Sequence, residues 1–311
     1  MHKIYQNRLL VAVDGSERSL QTVQCLGDIS SLRTQHVNLF HVFNTVPESY
    51  DDLAVAPDSL KSVSSLQVWE VQQRKEMKKY LNQCRQLLLA GDFPPDQVTI
   101  TIQDRRAGIA RDIIAEARSG YDALVLHRRG MGRLHGLALG SVACKLLNRL
   151  DFVPLVYAGR KPFDHRVVIA LDGSAHAMRA VAFVGEKLMG SNCSIRLIHV
   201  LRGDLDLRQL SADMPDVQET FDCAEKQVAE TMDKARSYLI CAGFAPESVT
   251  MEIVKHAPSR SGAILKAAAA GNYSTIAMGR KGMSRVREFA IGRVSSKVLQ
   301  IGQEFGVWIV Q

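Results

Sequence analysis

Two loops carry the residues whose types and spacing could do chemistry. HRRGMGRLHGLALGS runs from His127 to Ser141, and GRKGMSRVREFAIGRV runs from Gly279 to Val294. In each, a glycine at the fourth residue (Gly130, Gly282) is followed by nine residues and a second glycine (Gly140, Gly292). Glycines remove side chains where a backbone must come close to a ligand. Gly140-Ser141 opens a helical pattern, and free amides at a helix start attract an anion. The Ser141 hydroxyl adds a donor. Phosphate binding is the chemistry that suits this set. The plainer alternative is a loop whose glycines only turn and whose serine only caps a helix; two copies in one context weigh against it. There is no G-x-x-x-x-G-K-[ST], and GMGRLHG misses G-x-G-x-x-G by one residue, so neither a P-loop nor a dinucleotide fingerprint is indicated.

The elements that must position these loops repeat as well. LLVAVDGSERS ends its apolar run at Asp14, and VVIALDGSAHA ends at Asp172. VNLFHV ends at Val42 and IRLIHV at Val200; YDALVLHRRG matches YSTIAMGRKG, and VPLVY matches VWIV. The offset is 158 residues at the aspartates and 152 at the loop glycines, a shortening expected mostly in the loop after the second strand of the second copy. In the first copy, β-branched runs predict strands near 8–13, 36–42, 97–102, 122–127 and 153–157. Helical periodicity predicts helices near 16–30, 62–90, 108–119 and 140–149. This alternation predicts an α/β fold: two tandem, doubly wound, five-stranded parallel sheets of Rossmann-like type. The polar stretch AGRKPFDH is the expected linker, giving domains over 1–160 and 161–311. Each half ends in a strand with an unpaired edge, so Val153–Tyr157 is expected beside Val307–Val310 in an intramolecular pseudo-dimer.

In such sheets ligands bind beyond the carboxyl ends of the strands, where Asp14, Val42 and the His127 loop all fall, as do Asp172, Val200 and the Gly279 loop. Bulk composition sets further bounds. The 311 residues are 46% hydrophobic, with no apolar run long enough for a membrane span. The N-terminal stretch lacks signal-peptide anatomy, so a cytoplasmic location is expected. The six cysteines form no C-x-x-C pair and read as buried reduced thiols; no metal site is expected. A net charge of +7 suits anionic partners. Much of the excess is read as local to the two loops, in Arg128, Arg129 and Arg133 and in Arg280, Lys281, Arg285 and Arg287. With 6% aromatics, the chain offers no stacking platform for nucleic acid.

The spacing G-x-x-G, nine residues, then G-[ST] resembles the ATP-binding signature of the universal stress protein family. The strand-end aspartate, the HV of the second strand and the closing P-L-V strand are similar too, in both halves. The resemblance implies a nucleotide-binding stress-response protein with ATP, accompanied by Mg, as ligand. It implies that Asp14 and Asp172 lie by the adenosine, and that the Val42 and Val200 backbones read the adenine edge. The first loop glycine, at Gly279 and replaced by His127 in the first copy, lies near the ribose. Gly130, Gly140, Ser141 and Val142, and in the second copy Gly282 and Gly292, cradle phosphates. There Arg293 replaces the Ser/Thr, and either points to solvent or clamps a phosphate. His127 is expected to be a strand-end side chain turned aside, which leaves the N-terminal half as the tighter triphosphate site.

No dedicated catalysis is expected. Asp14 and Asp172 belong to different halves, and no histidine or glutamate recurs beside both loops as a base. His41 and His199 do recur, but within apolar strands, as core residues. The alternative function is a nucleotide-independent interaction or small-molecule-binding module on the same fold. The protein partner cannot be read from the chain, and a homodimer of tandem chains is left open.

Overall fold

The structure is a computed structural model that describes residues 7–44, 60–128, 139–201, 215–282 and 290–311; for 60–66, 215–222 and 224 it describes the backbone only. The first half runs β1 (Arg8–Ala12), α1 (Glu17–Gly27), β2 (His36–Phe43), α2 (Leu60–Ala90), β3 (Val98–Asp104), α3 (Ile109–Ala117), β4 (Ala123–His127), α4 (Ser141–Arg149) and β5 (Leu155–Ala158). The second half repeats it as β6 (Arg166–Leu171), α5 (Ala175–Lys187), β7 (Ser194–Val200), α6 (Pro215–Cys241), β8 (Val249–Val254), α7 (Arg260–Ala270), β9 (Thr275–Gly279), α8 (Arg293–Ile301) and β10 (Gly306–Val310). Helix α6 has 27 residues against 31 in α2, so much of the shortening lies in this helix rather than in the loop before it.

All ten strands join one sheet, ordered β3-β2-β1-β4-β5-β10-β9-β6-β7-β8. Every pairing is parallel except that of β5 with β10, where Val307 faces Tyr157, Trp308 faces Val156 and Ile309 faces Leu155. The two closing strands thus satisfy each other's edges, as their unpaired backbone groups require. Because this one pairing is antiparallel, the carboxyl ends of the strands in one half point opposite to those in the other. The two strand-end sites therefore lie on opposite rims of the sheet. A core on each face spans both halves: α1, α2, α5 and α6 cover one, with Leu81, Phe183 and Trp308, and α3, α4, α7 and α8 cover the other, with Leu146, Tyr157 and Leu299. Strands buried on both faces explain why their sequences read as near-continuous apolar runs.

Two sets of polar contacts fix the seam between the halves. Arg128, just after β4, donates to the carbonyls of Leu299 and Phe305, both at 2.6 Å. Arg280, its counterpart after β9, donates to the carbonyls of Leu147 and Leu150 and, at 2.7 Å, to that of Ala290. Each guanidinium reaches across the pseudo-two-fold to the end of the other half's last helix, where free carbonyls and the dipole favour a cation. These two arginines are therefore not part of an anion site, as their place in the loops suggested. Burial pushes Arg128 down to about 10 and lowers Arg280 as well. The second set has no counterpart by symmetry: Lys187 Nζ, 2% exposed, bonds Asp122 at 2.8 Å, Gln35 at 3.0 Å and Glu186 at 3.2 Å.

The cysteines depart from expectation. All six are free thiols, but only Cys84 and Cys193 are buried; Cys144, Cys223 and Cys241 lie on outer helix faces. Periodicity marks which residues are helical, but a single apolar cysteine on a mixed face does not say which side is inward. Among the described residues, no helix is long and apolar enough to cross a membrane, and no cluster of three or more metal-ligating side chains occurs.

Candidate functional site

Each site begins at a DGS turn. Gly15 and Gly173 take φ of +85° and +80°, a left-handed conformation that favours glycine. Ser16 and Ser174 then cap α1 and α5, their side chains accepting from the amides of Ser19 and Ala177. The aspartate closes the turn: Asp14 Oδ1 accepts from the Ser16 amide and Asp172 Oδ1 from the Ser174 amide, both at 3.0 Å. The strand-end carboxylates thus have a structural duty before any ligand arrives. The repeated DGS carries the signal for these caps in the sequence. Tyr80, whose hydroxyl donates to the Ser16 carbonyl at 2.7 Å, had no signal in the sequence.

The halves differ at the other carboxylate oxygen. His127 does not turn aside; its Nε2 bonds Asp14 Oδ2 at 3.2 Å, and its side chain is 12% exposed. The physical reason is a free acceptor one strand away, since β4 pairs directly with β1. The Ser19 hydroxyl adds a bond of 2.7 Å to Oδ1. Burial would raise the Asp14 carboxyl, but the hydrogen bond and charge of His127, with Ser16 and Ser19, overcome it and hold the group well below the usual carboxylate range. His127 Nδ1 is buried and without a partner among the described residues, so this nitrogen does not face a space where a reacting atom could sit.

A depressed carboxyl pKa stabilises the fold above the unfolded value of roughly 3.9. That contribution is lost as pH falls through the folded value. Asp14→Asn is therefore expected to lower the thermal midpoint near neutrality, and its deficit against wild type should shrink on acidification below about pH 4. A deficit independent of pH would contradict this account.

In the second half, Gly279 stands where His127 does. A Cβ there would come within 2.8 Å of His176 and Ala177, and one on Gly282 within 2.4 Å of Asp172 Oδ2. These two glycines are thus demanded by packing of the loop onto the strand-end turn, whatever else they do. Ser174 Oγ also donates to the Lys281 carbonyl at 3.3 Å. Among the described residues, Asp172 Oδ2 accepts no hydrogen bond.

The helix starts match closely. The Gly140 amide donates to the Arg128 carbonyl and the Gly292 amide to the Arg280 carbonyl, both at 2.8 Å, which draws the first turn of α4 and α8 to the strand ends. Ser141 and Arg293 occupy the same first helical position, and both are exposed. Val142 is half-buried. Val42 and Val200 are 5% and 6% exposed, leaving only their backbones to meet a ligand. Gly130, Arg129, Arg133, Arg285 and Arg287 lie outside the described residues. His41 is a satisfied core histidine: Nδ1 lies 2.8 Å from the Val13 carbonyl, and burial lowers its pKa. Burial lowers His199 likewise.

The sequence model of the universal stress protein family matches residues 6–156 and again 165–302. Among solved structures, a universal stress protein from Archaeoglobus fulgidus DSM 4304 is 21% identical, with 99% of each chain covered and a TM-score of 0.58. A functionally unknown protein from Pseudomonas aeruginosa PAO1 is 15% identical, with 98% of this chain and 92% of that one covered and a TM-score of 0.57. At these identities the likeness is one of fold. Comparison with curated proteins finds no match.

Proposed function

We propose a function from one premise: this chain belongs to the universal stress protein family, twice over. Membership supports a role in the stress response. Our reading is a cytoplasmic regulatory protein that binds an adenine nucleotide, ATP with its Mg, at the strand ends and does not turn it over efficiently. The observation that carries it is the matched pair of helix starts. In each half a glycine amide tied to a strand end at 2.8 Å opens a helix, and that strand pairs directly with the one that leads to the aspartate. Such a start offers unpaired amides to a phosphate, and an aspartate can accept from an adenine amino group or a ribose hydroxyl. The residues present fit the ligand: Gly140 and Gly292 bring no side chain of their own to the starts of α4 and α8, and Val42 and Val200 offer backbone only. The nucleotide would supply charge for the helix start to bind, and its occupancy would set conformation or partner choice.

Mass spectrometry of small molecules released from purified, denatured protein tests the ligand class directly. Gly140→Val and Gly292→Val, each placing a branched side chain at a helix start, are expected to weaken ATP binding about tenfold or more when combined. Equal affinity in wild type and the double variant would remove the site. Turnover at ordinary enzyme rates, about 1–1000 per second, would remove the non-catalytic reading.

One observation favours the second reading, a nucleotide-independent interaction module. His127 stands against Asp14, so the strand-end carboxylate of the first half is already engaged by the chain itself. Absence of any released nucleotide, with no ATP binding in solution, would select that reading.

A further inference from the structure

We infer that His127 is a specificity-determining residue that closes Asp14 to ligand donors, so that the two halves read different parts of a nucleotide: the N-terminal half takes the phosphate without the nucleoside, and the C-terminal half takes the nucleoside through Asp172. This rests on the adenine-nucleotide reading above and assigns the two sites within it.

The two strand-end carboxylates differ in how many acceptor positions are already taken. Asp14 Oδ1 already accepts from the Ser16 amide at 3.0 Å and the Ser19 hydroxyl at 2.7 Å, and Oδ2 is held by His127 at 3.2 Å. Three of the roughly four acceptor positions of the Asp14 carboxylate are thus taken, and the one left is on Oδ2, the oxygen that the His127 ring stands against, so a ligand amino or hydroxyl group must push that ring aside to reach it. Asp172 has the same turn and the same Oδ1 bond, at 3.0 Å to the Ser174 amide. Among the described residues its Oδ2 accepts no hydrogen bond; it lies against the Cα of Gly282, which is not a hydrogen-bond donor. Ser19 also has no equivalent there, because Ala177 fills its place. The difference reduces to His127 against Gly279 and Ser19 against Ala177. The phosphate end is not subject to the same block, since Gly140 and Ser141 stand at the start of α4 and, among the described residues, make no hydrogen bond to Asp14 or His127. This ranking opposes the one that Ser141 and Arg293 suggest by themselves. Ser141 is a phosphate contact, and His127 acts on the nucleoside.

The test uses the full chain, with ATP and inorganic tripolyphosphate as probes. Isothermal titration measures stoichiometry, and hydrogen exchange locates protection at 8–20 or at 166–178. Wild type is expected to take one ATP, protecting 166–178, and to lose it about tenfold or more with Asp172→Asn. His127→Gly is expected to add a second ATP that protects 8–20, raising the ratio of ATP to tripolyphosphate affinity in that half about tenfold or more. His127→Gln, which restores an amide donor toward Asp14, should return the ratio toward wild type; this separates a lost latch from a damaged fold. The inference is overturned if wild type binds ATP through 8–20 with loss on Asp14→Asn, or if His127→Gly adds no second ATP while wild type still binds one. If neither wild type nor His127→Gly binds any ATP, the adenine-nucleotide reading itself falls, and this assignment with it.

Discussion

Replacing Lys187 with methionine is expected to destabilise the protein by about 3–5 kcal/mol, the cost of leaving a buried carboxylate without its cationic partner. Lys187 and Asp122 are 2% and 3% exposed and stand 2.8 Å apart, one on α5 of the second half and the other at the start of β4 in the first. The lysine also holds Gln35 at 3.0 Å, and its own carbonyl accepts from Ser31 at 2.7 Å. The pair therefore ties the C-terminal end of α5 to two strands of the other half. Removing both charges, as Lys187→Met with Asp122→Leu, should recover most of the loss, because an apolar pair of similar bulk carries no desolvation penalty. Urea unfolding of the three variants decides it. A single-variant loss below about 1 kcal/mol, the size of an exposed pair, would mean that the contact is wet in solution.

Arg280→Met should also be costly, for a related reason. The guanidinium satisfies the carbonyls of Leu147, Leu150 and Ala290, and the residue is 2% exposed. A buried carbonyl left without a donor costs about 1–3 kcal/mol; Gln311 Nε2 still lies 3.4 Å from the Leu150 carbonyl, so the other two predict a loss of roughly 2 kcal/mol or more. Lysine is not expected to rescue, because one ammonium cannot reproduce the planar fork that spans the end of α4. Arg128→Met should lose less, since that guanidinium serves two carbonyls and its Nε is already unpartnered among the described residues. The readout is the unfolding midpoint together with proteolytic cleavage in the linker around 159–165, which should rise as β5 and β10 part. Gly159 gives that crossing its closeness: a Cβ there would lie 2.3 Å from the backbone of Phe305. Unchanged stability in Arg280→Met would show that the reciprocal arginines do not hold the halves together.

The same two residues show where the charge reading failed. In the sequence, Arg128 and Arg280 are indistinguishable from their neighbours in a basic, glycine-rich loop. Which of several adjacent arginines faces a ligand and which crosses to the other half depends on where the far end of α4 or α8 lies. That is a long-range fact, reaching from residue 280 back to 147.

The amino-acid sequence by itself determined the repeat, the strand–helix alternation, the parallel sheet and the meeting of the two closing strands. These follow from local periodicity and from edge pairing, and each strand of the first half lies within a few residues of its expected place. It also marked the strand-end aspartates and the glycines before α4 and α8, because residue type and spacing are local properties. Only the tertiary structure decided what those residues touch. That His127 would swing onto Asp14 depends on β4 lying beside β1, and that Arg293 would be exposed depends on the packing of α8. The buried ion pair at the seam was invisible because Lys187 and Asp122 stand 65 residues apart in different repeats, with no counterpart by symmetry. Side-chain partners across a sheet are set by which elements become neighbours, and no spacing along the chain encodes that.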